Sequence, residues 1–192
     1  MLNQLRPAVA ITGLFTLVLG LGYPLAVTGV AQVAFPAQAD GSLVRDAGGR
    51  VIGSTLIGQG FVGATYVHPR PSAAGEGYDA AASSGSNLGP MNTDLIARVK
   101  DQAQAIRAED GSGVIPADAV TTSGSGLDPD VSPAYARLQA ARIARARGVP
   151  VQQVQNIIDA HTEGAFLGFI GQPHVNVLMT NRALDSRFGA EG

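Results

Sequence analysis

No charged side chain occurs between Arg6 and Asp40. Charge is costly in hydrocarbon, and a bilayer core about 30 Å thick is crossed by roughly 20 predominantly apolar helical residues. The interval runs from Ala8-Val9-Ala10-Ile11 through Leu14-Phe15-Thr16-Leu17-Val18-Leu19 to Ala31-Gln32-Val33. It predicts a transmembrane helix over about residues 8–34 and places one end of the chain in a membrane.

The apolar run is interrupted by small residues, Gly13, Gly20, Gly22 and Gly29, and by Pro24. In a membrane helix these are tolerated, because small residues let a partner helix approach and neighbouring groups repair the backbone at proline. Either they are the ordinary composition of such a helix, or they form a face that packs on another membrane protein. Arg6 and the terminal amine precede the segment and Asp40 follows it. The positive-inside rule then predicts a cytoplasmic N-terminus and an extracytoplasmic remainder. Ala37-Gln38-Ala39 offers a rival reading, a cleaved signal peptide with an A-x-A site. Against it, the apolar run is longer than the usual signal h-region of about 7–15 residues. The expected division is a short cytoplasmic N-terminus and helix over residues 1–39, then one extracytoplasmic domain over 40–192.

Residues 40–192 suffice for one ordinary domain with its own core. The chain has no cysteine, so packing alone must hold that domain, without disulfides or thiolate metal sites. A net charge of −2 leaves no basic footprint and argues against a nucleic-acid partner.

Asp40 to Arg50 reads as an exit linker or hairpin. Val51-Ile52 and Thr55-Leu56-Ile57 read as short strands split by Gly53-Ser54, with Phe61-Val62 and Tyr66-Val67 as a further strand ended by His68-Pro69-Arg70-Pro71. Ser72 to Pro90 is a long Ala/Ser/Gly loop. Leu95, Ile96, Val99, Ala103 and Ile106 recur at helical spacing behind an Asn92 or Thr93 N-cap. Pro116 to Asp130 is loop. Ser132-Pro133 starts a second helix that Gly148 closes. Val151, Val154, Ile157 and Ile158 mark a third helix ending near Gly164, and Val175-Asn176-Val177-Leu178 a last strand with a short turn through Leu184. The predicted class is α+β: a single N-terminal transmembrane helix followed by one mixed domain.

Catalytic signatures are largely absent. There is no G-x-S-x-G elbow, no P-loop, and no H-E-x-x-H spacing among His68, His161 and His174. Two glycine-serine turns remain as candidate sites. One is Ser83-Ser84-Gly85-Ser86-Asn87-Leu88-Gly89-Pro90, preceded by Arg70-Pro71-Ser72-Ala73 and Tyr78-Asp79. The other is Thr121-Thr122-Ser123-Gly124-Ser125-Gly126-Leu127-Asp128-Pro129-Asp130-Val131-Ser132. Backbone N–H groups in such turns can cradle a phosphate. The more ordinary reading of the same residues is ordered turns capped by Ser, Asn and Asp side chains.

Taken in order, the motifs resemble one family. Tyr23-Pro24, Gly41-Ser42, Gly53-Ser54, Leu56-Ile57-Gly58-Gln59, Arg70-Pro71-Ser72-Ala73, Gly85-Ser86-Asn87-Leu88-Gly89-Pro90, Ser123-Gly124-Ser125-Gly126-Leu127-Asp128-Pro129 and Val175-Asn176-Val177-Leu178 look like the C subunit of the bacterial Kdp-type potassium-transporting ATPase. The pattern extends from the membrane helix to Leu184-Asp185; Met179-Thr180-Asn181-Arg182 departs from the more apolar sequence expected there.

The resemblance implies an accessory, non-catalytic subunit of a high-affinity potassium pump in the bacterial inner membrane. The implied partners are a potassium-translocating channel-like subunit, a P-type ATP-hydrolysing subunit and a small single-helix subunit. ATP is implied by the resemblance only, through a role in raising the catalytic subunit's ATP affinity; the chain is expected to hold no cofactor or metal of its own. Ser86, Asn87, Ser123, Gly124, Ser125, Gly126 and Asp128 are the candidate nucleotide or partner contacts. Two other readings compete: an anchored enzyme, disfavoured by the missing nucleophile and base, and a binding protein released by cleavage after Ala39.

Overall fold

The computed structural model describes residues 2–189. The chain divides into two compact units, Met1–Ile52 and Gly53–Gly192.

The first unit is led by α1 (Leu2–Leu17), a π turn (Val18–Gly22) and α2 (Tyr23–Ala34). Asn3–Ala34 is long and apolar enough to cross a membrane. At 1.5 Å per residue it is about 48 Å long, more than a hydrocarbon core requires. The π turn has an identifiable cause. Pro24 has no N–H, and its ring crowds the carbonyl four residues back, that of Gly20. Immediately before it the helix widens, and the Tyr23 N–H donates to the Val18 carbonyl five residues back. The helix thus absorbs the proline without breaking.

Beyond it come the short α3 (Pro36–Ala39), which contains the A-x-A pattern, and a hairpin of β1 (Leu43–Arg45) and β2 (Val51–Ser54). The turn is tied by the Asp46 carboxylate, whose Oδ1 accepts from Gly48 N and Arg50 N, both at 2.9 Å. Of the two alternatives for Asp40 to Arg50 the hairpin is observed. The expected break at Gly53-Ser54 is not: both residues belong to β2, and residues 55–57 turn back so that Ile57 bridges to Ser54.

The second unit contains α4 (Thr93–Asp110), α5 (Ala117–Val120), β3 (Asp130–Val131), α6 (Pro133–Arg147), α7 (Val151–Ala160), β4 (Thr162–Glu163), β5 (His174–Asn176) and α8 (Val177–Phe188). β5 lies between β3 and β4, antiparallel to both, with Val175 opposite Val131 on one side and Thr162 on the other. This mixture of helices and a small antiparallel sheet is an α+β arrangement. Its core joins Val131 and Val175 of the sheet to Tyr135, Ala136, Ala140, Ile143 and Ala144 of α6, Val154 and Ile158 of α7, and Leu184 of α8.

Caps fall where the sequence puts them. Asn92, rather than Thr93, caps α4, accepting from Asp94 N and Leu95 N. The Ser132 hydroxyl accepts from Tyr135 N at 3.1 Å, and Gly148 ends α6 in the left-handed region at φ +65°. Besides the Gly53-Ser54 break, and the helical turn α5 inside the Pro116–Asp130 segment expected to be loop, three expectations need correction. α7 stops at Ala160, short of Gly164. Val177-Leu178 belong not to a strand but to the first turn of α8, because the Asn176 side chain accepts from Met179 N and starts a helix there. The third concerns residues 61–67.

Residues 63–68 form no strand, yet their backbone is paired. The Asn181 carboxamide takes the Val67 N–H at 2.7 Å and gives its own N–H to the Val67 carbonyl at 3.0 Å. Gln139 does the same for His68, at 2.7 and 3.1 Å. Arg142 donates to the carbonyls of Ala64 (2.8 Å) and Tyr66 (3.1 Å), and Arg147 to that of Thr65 (2.8 Å). Side chains of α6 and α8 therefore supply what neighbouring strands would supply, and buried backbone groups need partners from somewhere. Gln139 and Asn181 are buried. Arg142 is further held by a buried ion pair with Asp110 at 2.8 Å, whose side chains are 7% and 2% exposed.

Candidate functional site

The two glycine-serine turns meet. The loop over residues 70–87 has no regular structure, but it is laced to residues 121–128. The Ser72 hydroxyl donates to the Gly126 carbonyl at 2.6 Å, while accepting from Ala74 N (3.1 Å) and Tyr78 N (2.8 Å). Ser84 N and Ser83 Oγ both donate to the Ser125 carbonyl at 3.0 Å. Gly58 N donates to the Leu127 carbonyl at 2.8 Å. The Tyr78 hydroxyl donates to the Arg70 carbonyl, and burial pushes its phenol pKa well up, keeping it a donor.

Close approach explains two glycines. Gly126 sits at φ +68°, and a Cβ there would lie 2.6 Å from the Ser84 carbonyl oxygen and 2.7 Å from Ala74 N. A Cβ on Gly58 would lie 2.5 Å from the Asp128 carbonyl oxygen. No side chain fits at either place without moving backbone.

The candidate residues divide accordingly. Ser125 Oγ accepts from Leu127 N at 3.1 Å and lies 3.5 Å from Ser123 Oγ. Asp128 accepts from Asp130 N through one oxygen at 3.1 Å and pairs with Arg70 through the other at 2.8 Å. The Arg70 guanidinium also reaches the carbonyls of Thr121 and Thr122, each at 3.4 Å. Gly85 brings the two turns together, its Cβ position lying 3.0 Å from the Gly124 carbonyl oxygen. Ser86 and Asn87 follow at once, Asn87 exposed with φ +52°.

This geometry does not suit a polyphosphate. An anion nest needs N–H groups directed outward. Here the N–H groups of Leu127 and Asp130 are taken by the turn's own side chains, and the turn presents carbonyls to donors of its own domain. The adjoining depression of about 380 Å³ is lined by Arg70 but also by Asp118, Asp128 and Asp130, and the only lysine, Lys100, lies on α4. Carboxylates would repel a triphosphate.

The histidines make local bonds. The rings of His68, His161 and His174 each bond a backbone carbonyl, of Gly63, Ile157 and Gln172 respectively. His174 also stands 3.7 Å from Glu163 and 3.8 Å from Asp130 at a cavity of about 490 Å³, where burial raises the Asp130 pKa. Among the described residues no group of three or more His, Asp or Glu side chains could hold a metal ion.

The family model described as the K+-transporting ATPase, c chain, matches residues 5–186. The chain belongs to the KdpC family. It is 67% identical over 192 residues to the potassium-transporting ATPase KdpC subunit of Caulobacter sp. strain K31, covering all of this chain and 98% of that one. It is 62% identical to the subunit of that name from Beijerinckia indica, over 98% of this chain and 96% of the relative. To that of Mycobacterium bovis BCG it is 53% identical, over 96% and 99%.

The KdpC match begins at residue 5, inside the apolar helix Asn3–Ala34, and so takes in nearly all of it, and the released binding protein finds no support. At Met179-Thr180-Asn181-Arg182, where the family resemblance faltered, two polar side chains are buried for a reason. Thr180 Oγ1 donates to the Asn176 carbonyl at 2.8 Å, and Asn181 pairs Val67. Reading the sequence missed Gln139, Arg142 and Asn181 as determinants of this KdpC domain. The available signal was a polar residue on a helix face otherwise buried, as at Gln139 between Ala136 and Ala140.

Proposed function

We propose that this KdpC-family chain, an accessory and non-catalytic subunit of a potassium-transporting ATPase, acts from the extracytoplasmic side by contact with the other chains of the pump. Its single span lies in the bacterial inner membrane with the N-terminus in the cytoplasm, and the division into anchor and exported domain falls near Asp40. Arg6 before the apolar helix and Asp40 after it support this orientation. The partners are a potassium-translocating channel-like subunit, a P-type subunit that hydrolyses ATP and a small single-helix subunit. Any rise in the ATP affinity of the P-type subunit is then transmitted through assembly.

One observation carries the reading of the turns. Ser125 and Asp128 each accept from a backbone N–H of their own turn, Asp128 also pairs with Arg70, and Gly126 is packed against the Ser84 and Ala74 backbone. Ser86, Asn87, Gly124 and Ser125 form the outer edge of the laced turns and are the partner-facing residues.

The test is a photoreactive ATP analogue offered to one side only of sealed vesicles holding the intact complex. Labelling is expected on the P-type subunit and none on residues 123–128 of this chain. Labelling of those residues from the cytoplasmic side would overturn both the orientation and the structural role of the turns.

A further inference from the structure

Between β4 and β5 the chain makes a projecting loop, residues 164–173, without a single charged side chain. Its tip is closed by backbone bonds. Phe166 N donates to the Ile170 carbonyl at 2.8 Å and Ile170 N to the Phe166 carbonyl at 2.9 Å, while Gly168 N donates to the Ala165 carbonyl at 2.9 Å. Phe166, Leu167, Phe169 and Ile170 are 68%, 70%, 77% and 50% exposed. Leu167 holds φ +53°, a region that leucine adopts only with strain. Four bulky apolar side chains are therefore left half or more exposed on a turn closed by its own backbone bonds. Clusters of this kind mark interaction surfaces, and aromatic anchors on a pre-ordered element are what binding hot spots are made of.

We propose that the tip Ala165–Ile170 is an anchor that seats in an uncharged apolar cleft, rimmed by Arg or Lys, on another chain of the same ATPase. This rests on the chain's membership in a multi-chain pump. Charge selects a protein over a lipid surface. The loop carries no Lys or Arg, and the charged groups at its base are Glu163 and Asp130, both within 4 Å of His174. Such a collar is repelled by anionic headgroups, whereas loops that dip into membranes are helped by basic residues. The same carboxylates suit a basic rim around an apolar cleft.

The experiment uses the full chain expressed with the other chains of the pump, purified in detergent through a tag on the P-type chain and washed. Retention of wild type establishes the assembly; its absence would be a failure of the subunit reading and not of this one. Phe166→Ser/Phe169→Ser is expected to lower retention of the chain at least tenfold, and Phe166→Leu/Phe169→Leu to keep most of it. Leu167→Gly removes an apolar side chain while relieving the backbone, so it should weaken retention without lowering the melting temperature. If Leu167→Gly and the double serine variant are retained like wild type, the proposal is wrong. The chain has no tryptophan, so Phe169→Trp supplies a single reporter in vesicles containing brominated lipid. No quenching is expected from the chain alone. Strong quenching would show that the tip enters lipid and would equally overturn the proposal.

Discussion

Ser72 and Gly126 are joined by a 2.6 Å hydrogen bond that closes one of the laced turns over the other. The Ser72 hydroxyl serves three backbone groups at once, so Ser72→Ala strips partners from Ala74, Tyr78 and Gly126. A partly buried group left without its partner costs about 1–3 kcal/mol. We expect a loss of that size in chemical denaturation. Gly126→Val is expected to be worse, since it adds a steric clash with backbone at 2.6 and 2.7 Å to an unfavourable φ. Failure to accumulate folded protein is the expected readout, whereas a stable Gly126→Val domain would contradict the close approach.

The Asp110–Arg142 pair should behave unlike the Arg137–Asp159 pair. The first is buried, and the second has both side chains half exposed. Arg142→Met leaves Asp110 unpaired and the carbonyls of Ala64 and Tyr66 without donors. We expect it to cost about 3–5 kcal/mol. Arg137→Ala is expected to cost about 0–1 kcal/mol. Equal losses in parallel melts would mean that the buried clamp contributes nothing special.

Acid should loosen the same region. Burial, and then the Arg142 guanidinium, hold the His68 pKa below its ordinary 6.5, against the opposing pull of the Gly63 hydrogen bond, Glu109 and Asp110. The unfolded chain thus takes up this proton before the folded domain does. The contribution is fully present above pH 6.5 and is lost as the pH falls from there toward the lowered folded value. Stability measured from about pH 7.5 down to about 5.5 should decline, and His68→Gln should flatten the decline. An identical pH slope in the variant would assign the effect to other groups.

In the long apolar helix, positions 20 and 22 have room. A Cβ at Gly20 would come no nearer than 3.9 Å to Thr16, and one at Gly22 would lie 3.6 Å from the Leu17 carbonyl oxygen. Leucine at either position should leave the helix and the second unit intact. If the small residues face a partner helix, Gly20→Leu or Gly22→Leu will weaken co-purification of the other pump chains in detergent. Undiminished co-purification would leave the glycines as mere composition.

Local signals in the sequence carried well. The uncharged interval marked the long apolar helix, and Asn92, Ser132-Pro133 and Gly148 marked helix ends, because caps depend on residues a few positions apart. No local pattern announces the meeting of the Ser83–Asn87 and Ser123–Asp128 turns. It depends on bonds between residues some 40 positions apart, such as Ser84 to Ser125. The misreading of residues 61–67 has the same root. Tyr66-Val67 has the composition of a strand and a paired backbone, but it leaves a turn in which Tyr66 N donates to the Gly63 carbonyl. Its partners are carboxamides and guanidinium groups from distant helices, which no local pattern announces. Val177-Leu178 misled because β-branched composition outvoted a single capping asparagine.

The carboxamide and guanidinium hydrogen bonds to residues 63–68 all end on main-chain atoms, although Arg147 also lies over the Tyr66 ring, 5.2 Å from its centroid. Such bonds do not read an outward side chain that the gripping residues do not meet. Ala64, which is exposed, can be exchanged freely for other L-residues, while Gln139→Glu, a change of one atom's identity, would set a carboxylate oxygen against the His68 carbonyl and part the two. The shape of this segment is thus written not in its own letters but in those of α6 and α8, some seventy to a hundred and fifteen positions downstream.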